Sequence, residues 1–298
     1  MNGIINMMKP PGMSSAQAVS FVKRITGEKI GHAGTLDPEA SGVLPLMVGR
    51  ATKLFDYITD DRKVYLAEIA FGCATDTEDA QGVITEESSY IPSVQEIKSA
   101  LTALTGMIAQ QPPAFSAIKK DGKRLYELAR QGIETNVSER PVYIERIDYV
   151  KASSKTSHFI RVYCGKGTYI RSLCRDIGRK TGSCAHMRFL LREQVGAFSI
   201  ADSWTPDEIA GSVLNAPSAP CCLSSPDRYL QHLPMIHIPT SYKKQALNGV
   251  PIKITTDEYT NEQGENKLIR VYMDHVFLGI AERRNGVLFI KTLYTLNL

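Results

Sequence analysis

Residues Gly31 to Pro45 read GHAGTLDPEASGVLP. The fold is best approached from here, because the run sets Asp37 on a loop bounded by glycine and proline. Gly31, Gly34 and Gly42 open backbone angles closed to other residues, and Pro38 pushes Asp37 out of the helical region. An isolated Asp-Pro is usually a turn whose carboxylate bonds its own backbone. This run is much longer than such a turn needs. Directly after it, Val43, Leu44, Leu46, Met47 and Val48 form an apolar strand or the start of a buried helix, which tethers the loop to the core behind the carboxylate. The pattern is that of an active-site loop.

A chain of 298 residues is long enough for one large domain and a small one. The net charge of +4 is mild, so composition alone does not establish a nucleic-acid partner. Its distribution says more. Lys119, Lys120, Lys123, Arg124 and Arg130 crowd one segment, and Lys166, Arg171, Arg175, Arg179, Lys180, Arg188 and Arg192 crowd another. Such runs make either a phosphate-tracking surface or ordinary solvated helix faces. The six cysteines show no CxxC pair and no disulfide-scaffold density, which favours a reducing compartment. Cys184 and His186 have no second ligand pair at zinc spacing, so no metal site is expected. No apolar run approaches the roughly 20 residues of a membrane helix, and nothing at Met1 to Lys9 reads as a signal peptide. A cytoplasmic protein is expected.

Along the chain, Gly3 to Met8 reads as a strand, after which Ser14 or Ser15 caps a helix with Val19, Val22 and Ile25 on one face, stopped by Gly27. Val64 to Phe71 alternates as a strand with Tyr65, Ala67, Ile69 and Phe71 on one side. Ser93 and Glu96 form a capping box for a helix whose Val94, Ile97, Leu101 and Leu104 serve the core. Gln110 to Ala114 opens a basic segment that closes at Arg140-Pro141 and reads as a surface insertion. Strands are predicted at Val142 to Val150 and His158 to Cys164. Gly165 and Gly167 then lead into a helix burying Ile170, Leu173, Cys174 and Ile177, with Arg171 and Arg175 one turn apart on another face. Thr205, Pro206 and Glu208 start a further helix. Ser212 to Asp227 reads as a linker. From Leu233 to Leu298 short strands alternate with turns such as Arg284-Asn285-Gly286, which suggests a small β-barrel.

Four motifs together resemble the bacterial tRNA pseudouridine synthases that act on the T-loop uridine at position 55. They are the Asp37 loop, Lys9-Pro10-Pro11-Gly12-Met13-Ser14-Ser15, the tyrosine-bearing strand from Lys63 to Gly72, and Lys166-Gly167-Thr168-Tyr169-Ile170-Arg171. The resemblance covers the first two thirds of the chain well and the last third loosely. It implies an α+β fold: a pseudouridine-synthase catalytic domain over residues 1–225, with a central mixed, mostly antiparallel sheet flanked by helices, then a PUA-like RNA-binding β-barrel over residues 233–298. It further implies that residues 115–140 embrace the tRNA T stem-loop through Lys119, Lys123 and Tyr126. Asp37, Tyr65, Tyr169 and Arg171 become the catalytic set, with Arg171 pairing the aspartate and Tyr65 stacking on the extracted uracil. Tyr169 becomes a hydrogen-bond partner or a base for the C5 proton, Leu190 an apolar wall beneath the base, and His32 a contact to displaced T-loop bases. Lys9, Pro10 and Gly34 become support. Lys9 either packs on the catalytic loop or touches phosphate, and the sequence does not decide.

Making pseudouridine breaks the bond from ribose to uracil N1, rotates the base and joins C5 to the same carbon. The need is an ionised carboxylate beside the sugar, acting as nucleophile on the anomeric carbon or as base toward the C2′ proton. An aspartate ordinarily titrates near ~3.9, so it suits either role at neutral pH and is a poor general acid. No cofactor is needed, and a monomer is expected. A noncatalytic tRNA-binding or folding module explains the basic residues and the tail equally well, but not a placed Asp, Tyr and Arg. A metal-dependent hydrolase built on His32, Asp37, Asp76 and Asp79 has scant spacing support. Asp76, Glu78 and Asp79 read as a polar turn.

Overall fold

The computed structural model describes residues 1–58, 62–116, 119–120, 123–125, 137–253 and 267–295, with side chains left aside at 119–120 and 123–124. The first helix shows how local signals become structure. Strand β1 (Gly3–Lys9) ends at the Pro-Pro-Gly turn, and Ser14 caps α1 (Ser15–Thr26) in a capping box with Gln17. Gly27 ends it in the left-handed region at φ 70°, where a side chain would be strained. Then follow β2 (Ile30–His32), β3 (Ser41–Val48), α2 (Phe55–Ile58), β4 (Lys63–Phe71), β5 (Cys73–Thr75), β6 (Ile84–Glu87), α3 (Val94–Ala103) and β7 (Gly106–Gln110). Next come β8 (Lys119–Lys120), β9 (Lys123–Arg124), β10 (Arg140–Ala152), β11 (Ser157–Cys164), α4 (Ile170–Lys180), β12 (Ala185–Val195), β13 (Phe198–Ser199) and α5 (Pro206–Asn215). The chain closes with β14 (Met235–His237), α6 (Lys243–Leu247), β15 (Ile252–Lys253), β16 (Lys267–Met273), β17 (Val276–Arg284) and β18 (Val287–Leu293).

The main sheet has nine strands among the described residues, in the order β1-β3-β12-β4-β11-β10-β7, with β2 beside β3 and β13 beside β12. Every pairing in it is antiparallel except β3 with β12, which run parallel through Leu191 opposite Ser41 and Arg192 opposite Gly42. That contact joins the end of the Asp37 loop to the centre of the sheet. β3 is buried along its whole length because both faces are covered. Leu44, Leu46 and Val48 enter one core with β4, α1 and α4, while Val43 and Met47 enter a second. A strand covered on both faces reads as a continuous apolar run.

The second core couples the two halves of the chain. Ile4, Val43, Met47 and Leu54 pack with Tyr272, Phe277, Ile280 and Tyr294, and Tyr294 donates from its hydroxyl to the Asn2 carbonyl at 2.9 Å. The second sheet has the order β14-β16-β17-β18-β15. Its end strands put Ile236 and Ile252 into one core with Val271, Leu278 and Leu288, the curl of a partly open barrel. Asn285 and Gly286, at φ 49° and 73°, make the tight turn between β17 and β18.

Three expectations are corrected. Gln110 is not part of a surface insertion: it is buried at the end of β7, paired with Arg140 of β10. Residues 212–227 are not a free linker, because α5 runs to Asn215 and Ser224 exchanges both backbone hydrogen bonds with Ile4. Val94 is exposed, so the core face of α3 rests on Ile97, Ala100 and Leu101.

Candidate active site

The Asp37 loop is gripped from one side by the N-terminal turn. Lys9 is fully buried, and its Nζ donates to the carbonyls of Pro10 at 2.9 Å, Met13 at 2.6 Å and Pro38 at 3.0 Å. The Gly12 amide donates to the same Pro38 carbonyl at 3.0 Å. The Ser15 hydroxyl accepts from the Leu36 amide at 2.9 Å and donates to the Leu36 carbonyl at 3.1 Å. Leu36 and Pro38 flank the aspartate, so these bonds fix the backbone on either side of it. Lys9 therefore packs on the loop, and the Pro10 carbonyl helps to hold its ammonium. Burial lowers the Lys9 ammonium to about 8, against Glu39 and Asp37, which raise it.

Asp37 meets Arg171 in a two-pronged pair, Nε to Oδ2 at 2.9 Å and Nη2 to Oδ1 at 3.3 Å. The guanidinium is buried, while the Asp37 side chain keeps 38% of its surface open. Arg171 is locked by two more acceptors, the carbonyls of Thr77 at 3.1 Å and Phe115 at 2.9 Å. Its helix, α4, starts at Tyr169, whose amide donates to the Gln110 side chain at 2.9 Å and whose carbonyl accepts from it at 3.1 Å. The turn holding Thr77 is equally tied down. Glu78 sits at φ 62°, accepts from the Ser172 hydroxyl at 2.7 Å and pairs with Arg175. Asp76 accepts from the Val83 amide at 2.8 Å, and Asp79 from the Thr77 hydroxyl at 2.6 Å and the Gln81 amide at 3.0 Å. These carboxylates are committed to their turn and to α4. No three His, Cys, Asp or Glu side chains gather as a metal cluster among the described residues.

Tyr65 is buried on β4 opposite Arg192, whose guanidinium lies beside it. Burial raises the Tyr65 phenol, against Arg192, which lowers it; Asp37 lies close enough to add a further rise. Burial likewise raises the Tyr169 phenol, against the nearby Ser116 and the charge of Arg171. Both shifts reinforce the neutral phenol that a tyrosine already has at neutral pH. Leu190 is buried on β12 beside Ala67 of β4. His32 stands on β2 opposite Leu46, with Nδ1 buried and without a partner among the described residues; burial, then Arg192, lowers its imidazole. Gly34 lies at φ +86°. Tyr126 and the side chains of Lys119 and Lys123 lie outside the described residues.

The second basic run is not a surface as a whole. Arg171 and Arg192 are buried and Arg175 is paired with Glu78 and Asp176, so three of the seven cations in that run are committed inside the fold. Arg192, Gln110 and Thr77 escape the motif reading, and Ser15, read there as a candidate cap, instead holds Leu36. For Arg192 a signal existed: in a strand residues two apart share a face, and Leu190 had already been placed on the pocket side.

Residues 23–170 match the model of the TruB family pseudouridylate synthase N-terminal domain, and residues 171–230 that of the tRNA pseudouridylate synthase B C-terminal domain. A tRNA pseudouridine synthase B of Alkaliphilus oremlandii is 40% identical over 286 residues, covering 96% of this chain and 94% of its own. The chain belongs to the TruB family. One from Clostridium perfringens is 41% identical over 286 residues, covering 95% of each chain. A solved H/ACA RNP bound to a substrate RNA containing 2'-deoxyuridine superposes with a TM-score of 0.72 at 20% identity, over 98% of this chain and 85% of its own. A Cbf5-Nop10-Gar1 complex gives a TM-score of 0.70 at 22% identity, over 98% and 85%. These show that the TruB-family chain shares the pseudouridine synthase fold. No helix among its described residues is long and apolar enough to cross a membrane.

Proposed function

We propose that this TruB-family enzyme converts the T-loop uridine at position 55 of tRNA to pseudouridine, with Asp37 as the carboxylate that acts on the ribose. The observation that carries this is the Asp37–Arg171 pair: a half-open carboxylate clamped by a buried guanidinium that is itself fixed by two carbonyls. A carboxylate so held is positioned before substrate arrives, which removes orientation cost from the barrier. The uracil is extracted from the T loop at a cost of a few kcal/mol, and stacking on Tyr65, worth about 1 to 3 kcal/mol per base, offsets much of it. Leu190 walls the pocket and His32 meets the displaced bases. Asp37 then attacks C1′ or removes the C2′ proton as the bond to N1 breaks, the base turns, C5 bonds to C1′ as the Asp37 oxygen departs or the C2′ proton is returned, and the C5 proton leaves while N1 takes up a proton. Tyr169 serves as a hydrogen-bond donor in this scheme, since burial favours its neutral phenol.

In the same reading residues 1–225 are the catalytic domain, residues 115–140 embrace the T stem-loop with Lys119, Lys123 and Tyr126, and residues 233–298 form a PUA-like RNA-binding domain. The protein works as a cytoplasmic monomer without a cofactor; its six cysteines are free, which suits a reducing compartment. The test is a map of pseudouridines in tRNA from cells with and without the protein. Loss at the T-loop position alone is expected. An unchanged map would overturn the reading and favour a noncatalytic tRNA-binding role.

A further inference from the structure

Arg192 is the largest fully buried side chain of the described residues, 1% exposed. Burying a guanidinium is costly unless its donors are met, and here they are met without any carboxylate. Nε donates to the Val43 carbonyl at 2.8 Å, Nη2 to the Gly34 carbonyl at 3.0 Å and Nη1 to the Thr35 carbonyl at 3.4 Å, and the Tyr65 side chain lies beside the guanidinium. Gly34 and Thr35 precede Asp37, and Val43 follows it. One rigid fork therefore ties the two ends of the aspartate loop together at its base, and its remaining contact is the phenol of the stacking tyrosine.

The backbone repeats the same connection. Arg192 lies opposite Gly42 in the parallel contact between β3 and β12, and a Cβ at Gly42 would come within 2.2 Å of the Arg192 carbonyl oxygen. A buried apolar side chain at this strand position would fill the space at lower desolvation cost, yet it would leave three loop carbonyls unbonded. Lysine would keep the charge and lose the planar fork.

We propose that Arg192 is a positioning residue for uridine isomerisation, setting the distance between the Asp37 loop and the Tyr65 ring. This rests on the functional reading above. Displacements of 1 Å at such a site cost on the order of 10²-fold in rate. Arg192→Lys and Arg192→Met are compared with wild type in single-turnover pseudouridine formation on a T-arm RNA, alongside RNA affinity and thermal unfolding. The expected result is a rate lower by on the order of 10²-fold for Arg192→Met and at least about 10-fold for Arg192→Lys, with RNA affinity within about 3-fold.

A folded variant within about 3-fold of the wild-type rate overturns the proposal, as does a loss that tracks the unfolded fraction or lies in RNA affinity. If neither variant folds, Tyr65→Phe, which removes the hydroxyl beside the guanidinium and keeps the ring, decides. It should slow turnover at least about 10-fold at unchanged affinity, and a rate within about 3-fold of wild type overturns the proposal. No pseudouridine from the wild-type protein would overturn the functional reading along with it.

Discussion

Gly42→Ala probes the junction between loop and sheet by adding a single carbon. Gly42 sits at φ +114°, and its Cβ would lie 2.2 Å from the Arg192 carbonyl oxygen and 2.7 Å from the Arg192 nitrogen. It falls short of an ordinary 3.4 Å contact by about 1.2 Å, and both neighbours are backbone, which cannot rotate away. The parallel contact between β3 and β12 must open by roughly that amount. The strained φ adds on the order of 1 to 3 kcal/mol, and a shift near 1 Å beside a positioned carboxylate is worth on the order of 10²-fold in rate. Gly27→Ala separates the two effects. Gly27 has φ +70° with nothing within 4 Å of a Cβ, so it loses about 1 kcal/mol from conformation alone. Single-turnover rates and urea unfolding of both variants are the assay. Gly42→Ala should lose stability and rate, and Gly27→Ala stability only. A folded Gly42→Ala with wild-type rate would refute the claim that this junction sets the loop.

Ser15→Ala strips the hydroxyl from both polar groups of Leu36, leaving a buried amide without its acceptor, and should cost ~1 to 3 kcal/mol in urea unfolding with a slower turnover. Burial lowers both His32 and His158, so the unfolded chain takes up more protons in acid. Stability is then full above about 6.5 and falls as pH drops through the depressed folded values; His158→Gln should shrink the difference in urea midpoint between about pH 7.5 and pH 5.5. With the Lys9 ammonium lowered to about 8, the rate should decline as pH rises through that value, because a neutral amine has fewer donors than the three carbonyls it serves. Lys9→Arg, which does not titrate there, should flatten that alkaline limb.

Local signals carried much of this structure into the sequence. Ser14 with Gln17 and Gly27 bound α1, Ser93 with Glu96 start α3, and the Asn285-Gly286 turn lies where it was expected, since each acts within a few residues. The Asp37 loop was legible from its glycines and proline, and Arg171 was legible as its partner through the resemblance of the Lys166–Arg171 motif. What stayed hidden was long-range. Gln110 belongs to the sheet and to the start of α4, yet in sequence it merges with the proline-rich opening of a basic insertion. Arg192 reads as one more positive charge in a basic run, and only the register of β12 against β3 and β4 turns it inward. Residues 212–227 look like a linker until Ser224 meets Ile4, a pairing across the first three quarters of the chain.

The most direct measurement on the central claim is hydrogen release from uracil C5. With T-arm RNA tritiated at that carbon, the wild-type protein should release tritium and Asp37→Ala should release none while still binding the RNA. Undiminished release by a folded Asp37→Ala would contradict the assignment of the reaction to this carboxylate.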